Sequence, residues 1–181
     1  MAKMKSITTK QGDGGLTRLF SGEKVSKNSP RINSYGDIDE LVSILGIARQ
    51  QTKKADIQEA LLFIQRSLFI AASELATTSE KLSWLKNRID NDALKILDDK
   101  RDALEKIVTI PNGFIVPANT LAASYIDYAR AVSRRCERKI IALLEKKIIA
   151  NTILLIWFNR LSDYLYLLAR CEEGSPLMVK S

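Results

Sequence analysis

The spacing of apolar positions predicts helices along most of the chain. Apolar residues recur every three or four positions over residues 41–48 and again over residues 57–75, as expected for helices with one face in a core. A third periodic stretch begins at Ser79 and continues as a charged segment to Lys106. The pattern therefore predicts three helices in this part of the chain, the first beginning near Asp37.

Two further helices are predicted after a break in this pattern. Residues 109–119 contain two prolines and a glycine, which favour a loop. A fourth, arginine-rich helix follows and extends to about Lys147, and a fifth extends from about Asn151 to Cys171, with Gly174 and Pro176 ending it. No useful strand pattern and no internal repeat occur, so the expected fold is an all-α bundle of about five helices.

The first 36 residues differ from this pattern. They contain five of the eight glycines, and they carry seven basic and two acidic side chains. Closely spaced glycines let backbone N–H groups approach an anion, so this arm is a candidate polyphosphate cradle, with a disordered tail as the alternative. A Walker A loop is excluded because the Gly-Lys-Ser/Thr ending is missing. We expect one domain over residues 1–181, divided into an arm (1–36), a bundle (37–172) and a tail (173–181).

Residues 128–138 concentrate four arginines and a glutamate. On a helix, Asp127, Arg130, Arg134 and Glu137 share one face. The neighbouring stripe is small or apolar: Ile126, Ala129, Ser133, Cys136, Ile140 and Leu143. The guanidiniums are thus expected at the edge of a core, where they suit phosphate or carboxylate partners; ordinary surface ion pairs are the alternative.

Composition and net charge limit the kinds of partner that the protein can bind. The chain has 181 residues, 46% of them apolar, and a net charge of +7, which suits one domain with an anionic partner. A nucleic-acid partner is disfavoured, because the arginines share a face with carboxylates and lack an aromatic stacking platform.

The longest apolar run, residues 153–158, is too short for a bilayer, and no secretory signal is evident. With only two cysteines, no disulfide framework is expected, and we predict a cytoplasmic protein without a membrane partner.

Histidine is absent from the whole sequence. This excludes Ser-His and Cys-His catalysis and any imidazole metal ligand. The chemistry must therefore rely on charge, positioning and carboxylates.

Three blocks then occur in order. The first is TKQGDGGLT at residues 9–17, which continues through Gly22, Lys27 and Arg31 to residues 35–41; the second is FIVP at 114–117 with Arg130 and RRCER at 134–138; the third is NRLSDYL at 159–165. Together they resemble the PduO-type ATP:cob(I)alamin adenosyltransferases over almost the whole chain. The resemblance implies a five-helix bundle that assembles as a homotrimer with ATP bound between adjacent subunits. It also implies transfer of the 5′-deoxyadenosyl group of ATP to cob(I)alamin; a weakly active carrier or sensor of ATP or adenosylcobalamin is the alternative.

The resemblance also assigns site residues. The implied ATP-binding residues are Thr9, Lys10, Gln11, Gly12, Thr17, Arg18, Lys27, Arg134, Arg135, Glu137, Arg138 and Asn159. The implied corrinoid-binding residues are Phe114, Arg130 and Asp39, and the implied catalytic residues are Arg130, Asp39 and Arg134. Phe114 would lie against the lower face of the corrin ring, and Asp39 would pair with Arg130. No metal ligand is assigned beyond Mg²⁺ carried by ATP, for which Glu137 is the one candidate. A cob(II)alamin reductase and an adenosylcobalamin-dependent enzyme are the expected partners.

The sequence departs from the family pattern on the corrinoid side. Residues 117–119 read Pro-Ala-Asn where the family usually has Pro-Gly-Gly. Asp127 stands where a histidine is usual, three residues before Arg130, so its carboxylate could compete with Asp39 for that guanidinium. The nucleotide side is therefore expected to follow the family more closely than the corrinoid side.

Overall fold

Five long helices build the protein, in a computed structural model that describes residue 8 and residues 10–117, 119–174 and 177–179. They are α1 (Pro30–Gln51), α2 (Ala55–Leu75), α3 (Asn91–Glu105), α4 (Leu121–Glu145) and α5 (Thr152–Glu173). A short 3-10 helix, Ser79–Trp84, lies between α2 and α3. The predicted all-α bundle is confirmed.

Helix α4 lies at the centre, between α1 and α5, while α2 packs on α1 and α3 packs on α5. The small and apolar stripe predicted for α4 faces the core, and all six of its residues are buried. On α5, the rings of Trp157 and Phe158 meet edge to face with centroids 5.3 Å apart. This packing explains why the arginines of α4 lie at the margin of the core.

Helix α1 begins at Pro30, so the predicted start near Asp37 is wrong, and residues 30–36 of the predicted arm are helical. Ser29 caps the helix by accepting a hydrogen bond from the backbone N of Ile32 at 3.4 Å. Proline at the first helical position is favourable, because its fixed φ suits a helix and its missing N–H needs no partner. Ser29 and Pro30 are therefore a helix start within the segment that the sequence pattern assigns to the arm.

The single third helix predicted over residues 79–106 is also wrong, because the chain leaves the helical conformation between the 3-10 helix and α3. Glu74 of α2 holds this connection: its carboxylate accepts from Arg88 Nη2 at 2.8 Å and from the backbone N of Ile89 at 3.2 Å. Asp90 then caps α3 through the backbone N of Ala93 at 2.9 Å. A buried carboxylate from another helix thus overrides the local periodicity.

Two short antiparallel ladders were not predicted. Strand β1 (Leu16–Arg18) pairs with β2 (Lys24–Ser26), and β3 (Ile115–Val116) pairs with β4 (Leu177–Met178). Strands of two or three residues are too short to show alternation in a sequence. The β3–β4 ladder joins the C-terminal segment to the loop before α4.

Three further observations concern the cysteines, the end of α5 and the hydropathy of the described helices. Cys136 and Cys171 are both free, and burial raises the pKa of the Cys136 thiol to about 12. Gly174 ends α5 with a φ of 74°, in the left-handed region that glycine favours. In the described ranges, no helix combines the length and hydropathy needed to cross a bilayer.

Candidate active site

The N-terminal arm encloses an open cavity of about 690 Å³. Its lining residues are Thr8, Lys10, Gln11, Gly12, Asp13, Leu16, Thr17, Arg18, Lys24 and Lys27. Four of these side chains are basic and one is acidic, so the cavity attracts anions. The structure thereby brings together six of the predicted ATP-binding residues; a seventh, Thr9, lies outside the described residues.

Tight turns shape the floor of this cavity. The backbone N of Gly15 donates to Gly12 O at 3.1 Å, and the backbone N of Lys27 donates to Gly15 O at 2.9 Å. A Cβ atom on Gly12 would lie only 2.8 Å from Lys27 Nζ. The Lys27 ammonium therefore lies directly over the glycine turn, where it can reach the same anion as the backbone N–H groups.

The arm is fastened to the bundle by contacts that sequence reasoning missed. The backbone N of Phe20 donates to Ala76 O at 2.9 Å, and Lys81 Nζ lies 2.6 Å from Glu23 Oε1. Hydrogen bonds from Lys81 and Ser21 lower the pKa of Glu23 to about 2. The signal in the sequence was weak, because Glu23 and Lys81 are 58 residues apart.

Arg31 forms a second fastening point. Its guanidinium donates to the carbonyl oxygens of Leu75 at 2.8 Å, Thr77 at 3.1 Å and Ile148 at 2.6 Å. Burial lowers the pKa of this guanidinium, although three carbonyls accept from it. The start of α1 is thus joined to the ends of α2 and α4, which fixes the base of the arm.

Two arginines on α4 are available to an external anion. Arg134 and Arg138 are exposed, and neither forms a hydrogen bond or an ion pair with another described residue. Beside them, Glu137 Oε1 accepts from Asn159 Nδ2 at 3.2 Å. The structure therefore places the predicted residues Arg134, Glu137, Arg138 and Asn159 on one part of the α4–α5 surface.

Arg135 is placed differently. Its guanidinium contacts Asp37 Oδ2 at 3.1 Å and also pairs with Glu40, both on α1. Lys139 adds a contact to Asp37 at 2.8 Å. Within one chain these donors serve the packing of α4 against α1, so a nucleotide contact by Arg135 stays a prediction.

The predicted corrinoid residues occupy two places. Phe114 is 86% exposed, in a loop held by a hydrogen bond of 3.0 Å from the backbone N of Val179 to Phe114 O. Arg130 donates to Asp127 at 3.2 Å, so Asp127 is in a position to compete with Asp39 for this guanidinium, and that competition stays a prediction. Asp39 is exposed, and its carboxylate pairs with no residue in the described part of this chain. An Asp39–Arg130 pair is thus absent within one chain and stays a prediction for two adjoining subunits.

A protein-built metal cage is not present among the described residues: no group of three or more His, Cys, Asp or Glu side chains converges there. Mg²⁺ commonly binds through one or two carboxylates together with substrate phosphates. A contact between Glu137 and Mg²⁺ carried by ATP stays a prediction.

Comparison with known sequences assigns the class of protein. The sequence model for cobalamin adenosyltransferase matches residues 7–172, so the chain belongs to that family. A corrinoid adenosyltransferase from Citrobacter freundii is 34% identical over 173 residues, which cover 96% of this chain and 98% of that protein. The corrinoid adenosyltransferase PduO of Salmonella typhimurium is 36% identical over 93% of this chain, which spans only 50% of that relative.

Solved structures agree with this assignment. A variant of a PduO-type ATP:corrinoid adenosyltransferase from Lactobacillus reuteri, complexed with cobalamin and ATP, superposes with a TM-score of 0.88. It is 31% identical, and the match covers 97% of this chain and 100% of that one. Another variant of that protein, complexed with ATP, gives a TM-score of 0.84 at 32% identity.

Proposed function

We propose that this chain transfers the 5′-deoxyadenosyl group of ATP to cob(I)alamin, which forms adenosylcobalamin and releases triphosphate. The cationic cavity of the arm, with Lys27 over the glycine turn, is the observation that carries the proposal. Membership of the cobalamin adenosyltransferase family supports the choice of reaction. The protein is accordingly a transferase.

The reaction needs positioning and charge rather than a proton acceptor. Cobalt(I) supplies the electron pair for the new Co–C bond, and the C5′–O bond breaks with its electron pair leaving on the triphosphate. Lys10, Lys27 and Arg134 would stabilise the negative charge on that leaving group. The absence of histidine is compatible with this chemistry, because no general base is required.

We place the complete nucleotide site between two subunits of a homotrimer. Among the described residues, those that line the cavity all belong to the arm, whereas Arg134 and Arg138 are exposed on α4 without partners in the described chain. A second copy would bring the two half-sites together. Mg²⁺ would neutralise part of the triphosphate charge, with Glu137 as its ligand from the protein.

On the corrinoid side, Phe114 would cover the lower face of the ring and displace its base. An apolar face that offers cobalt no ligand makes the cobalt(II) ion easier to reduce. Arg130 would border this pocket, paired across the subunit boundary with Asp39. A cob(II)alamin reductase and an adenosylcobalamin-dependent enzyme are the partners that this chemistry requires, and a cytoplasmic location stays a prediction.

The reaction can be tested directly by absorbance. Chemically reduced cob(I)alamin is mixed with MgATP and purified protein under anaerobic conditions. We expect conversion to adenosylcobalamin with release of one triphosphate for each product. Binding of both substrates without conversion would contradict the proposed reaction and favour the carrier or sensor.

Sharing of sites between subunits can be tested by complementation. Lys27→Met and Arg134→Ala variants should each lose most of the activity alone, because each has one defective half in every site. After the two are unfolded and refolded together, mixed trimers should regain activity, since some interfaces then combine two intact halves. An absence of recovery in mixed oligomers would contradict a shared site.

A further inference from the structure

A buried ion pair lies behind Arg130. Asp127 uses both carboxylate oxygens: Oδ1 accepts from Arg130 Nε at 3.2 Å, and Oδ2 accepts from Arg170 Nη2 at 2.6 Å. The side chains of Asp127 and Arg170 are only 6% and 1% exposed. Asp127 therefore connects the partly exposed Arg130 to a cation buried between α4 and α5.

The same buried cation reaches the loop that carries Phe114. Arg170 Nε lies 2.5 Å from Glu173 Oε1, and the Glu173 side chain is 0% exposed. The other oxygen of Glu173 accepts from the backbone N of Asn119 at 3.3 Å. Phe114 is thus held by Val179, and Asn119 is held by Glu173.

The burial of this network points to a positioning role. Ion pairs in a low-dielectric interior gain little stability over apolar side chains of the same size, because desolvation offsets their attraction. Arg170 Nε, Arg170 Nη1 and Glu173 Oε1 are all buried without a hydrogen-bond partner among the described residues, so the network is not optimised for stability alone. The hydrogen bonds of Asp127 fix the Arg130 guanidinium, the hydrogen bond of Glu173 fixes the backbone of Asn119, and the Arg170–Glu173 ion pair joins the two.

We propose that Asp127, Arg170 and Glu173 form a positioning relay, which fixes the position of the Arg130 guanidinium relative to the loop that carries Phe114. The inference rests on the proposed function, because it concerns the corrinoid half of that site. The three residues are too deeply buried to touch the substrate and act through Arg130 and the loop. Disturbing the relay should weaken corrinoid binding while nucleotide binding at the arm is unchanged.

The test compares two carboxylates of similar burial. Asp127→Asn removes the charge at almost constant volume. Glu74→Gln does the same to a carboxylate that is 5% exposed and pairs with Arg88, away from the relay. Affinity for cob(II)alamin in the presence of ATP, and affinity for ATP alone, are measured by equilibrium dialysis; KM is measured for both substrates, and Tm is measured for each variant.

We expect Asp127→Asn to raise the Kd and KM for the corrinoid by about tenfold to a hundredfold, as a misplaced binding group does. Its Kd for ATP should stay within about twofold of the original, because Asp127 does not line the arm cavity. Glu74→Gln should lower Tm without a selective effect on the corrinoid. If both variants lower Tm and leave corrinoid affinity unchanged, the network is structural only and the relay is overturned.

A second variant guards against loss of folding. Glu173 is the last residue of α5, where a substitution should lower the free energy of unfolding less than one in the middle of a helix. Glu173→Gln should reproduce the selective loss of corrinoid affinity. Unchanged affinity in a folded Glu173→Gln protein would overturn the relay between the loop and Arg170. Dialysis measures binding and does not depend on turnover. If the protein without substitutions binds both substrates and does not convert them, only the proposed reaction is contradicted. Failure of that protein to bind cob(II)alamin would overturn both proposals.

Discussion

The arm cavity and the Asp127 relay use charged residues in opposite ways. In the arm, Lys10 and Lys27 are exposed and make no ion pair with the described residues. In the relay, Arg170 is buried and lies between two carboxylates. Unpaired exposed cations attract an anion that diffuses to them and are screened by salt, whereas buried pairs fix geometry and are screened little. The first region is suited to capture a substrate and the second to orient groups around one.

The largest effect is expected from removing an unpaired cation next to the leaving group. Arg134→Ala should lower kcat/KM by about 10² to 10³, because the charge that develops on triphosphate loses a stabilising donor. Steady-state rates of adenosylcobalamin formation measure the change. Arg66→Ala, at an exposed position on α2, is the control and should keep full activity. Equal rates for the two variants would remove Arg134 from the site.

A smaller loss of ATP affinity is expected when one methyl group is added in the glycine turn. In Gly12→Ala, the new Cβ would lie 2.8 Å from Lys27 Nζ, and the flexible ammonium would have to move. We expect the KM for ATP to rise by about tenfold, the cost of about 1.4 kcal/mol of binding free energy, with little change in Tm. Gly14→Ala is the matched control, since no atom lies within 4 Å of a Cβ there. Parallel behaviour of both variants would show that the ammonium position is unimportant.

Ionic strength should affect the KM for ATP more than the KM for cobalamin. Raising ionic strength from about 0.05 M to about 0.5 M shortens the Debye length severalfold, so the KM for ATP should rise by a few-fold. The KM for cobalamin should change less, because the relay charges are buried and paired. Kinetics in NaCl, with sucrose as a control for osmolality, measure both values. A similar rise in both constants would contradict the distinction.

The smallest effect concerns how the arm is held. Hydrogen bonds from Lys81 and Ser21 lower the Glu23 pKa from 4.5 to about 2. A lowered folded-state pKa means that this contribution to stability is complete above about pH 4.5 and is lost as the pH falls through about 2. Glu23→Gln should therefore be less stable than the original by a constant amount from about pH 7 to pH 5, and the difference should shrink below that.

Chemical unfolding monitored by tryptophan fluorescence across this pH range measures the difference. Lys24→Gln, on the same hairpin and exposed, is the control for a general charge effect. A stability difference between Glu23→Gln and the original that does not change with pH would show that Glu23 ionisation does not hold the arm.

The site could be predicted to the extent that its residues follow local motifs. The turn at residues 12–15 and the face shared by Arg134 and Glu137 are set by neighbours in the chain, and the structure places them as expected for an anion site. The family resemblance, rather than spacing, predicted that Asn159 and Glu137 belong to one site. Spacing alone did not reveal that Arg135 would lie against Asp37 on α1, because that contact depends on how two helices pack.

The sequence by itself determined the helical class, the buried stripe of α4, the cationic arm and the exclusion of histidine chemistry. These follow from composition and from periodicities that span a few residues. Only the tertiary structure decided that α2 would interrupt the third helix through Glu74. It also decided that Asp127 would be shared between Arg130 and Arg170, the latter 43 residues away. Ion pairs between distant segments depend on helix packing, and neither charge nor spacing in the sequence specifies which partners will be buried together.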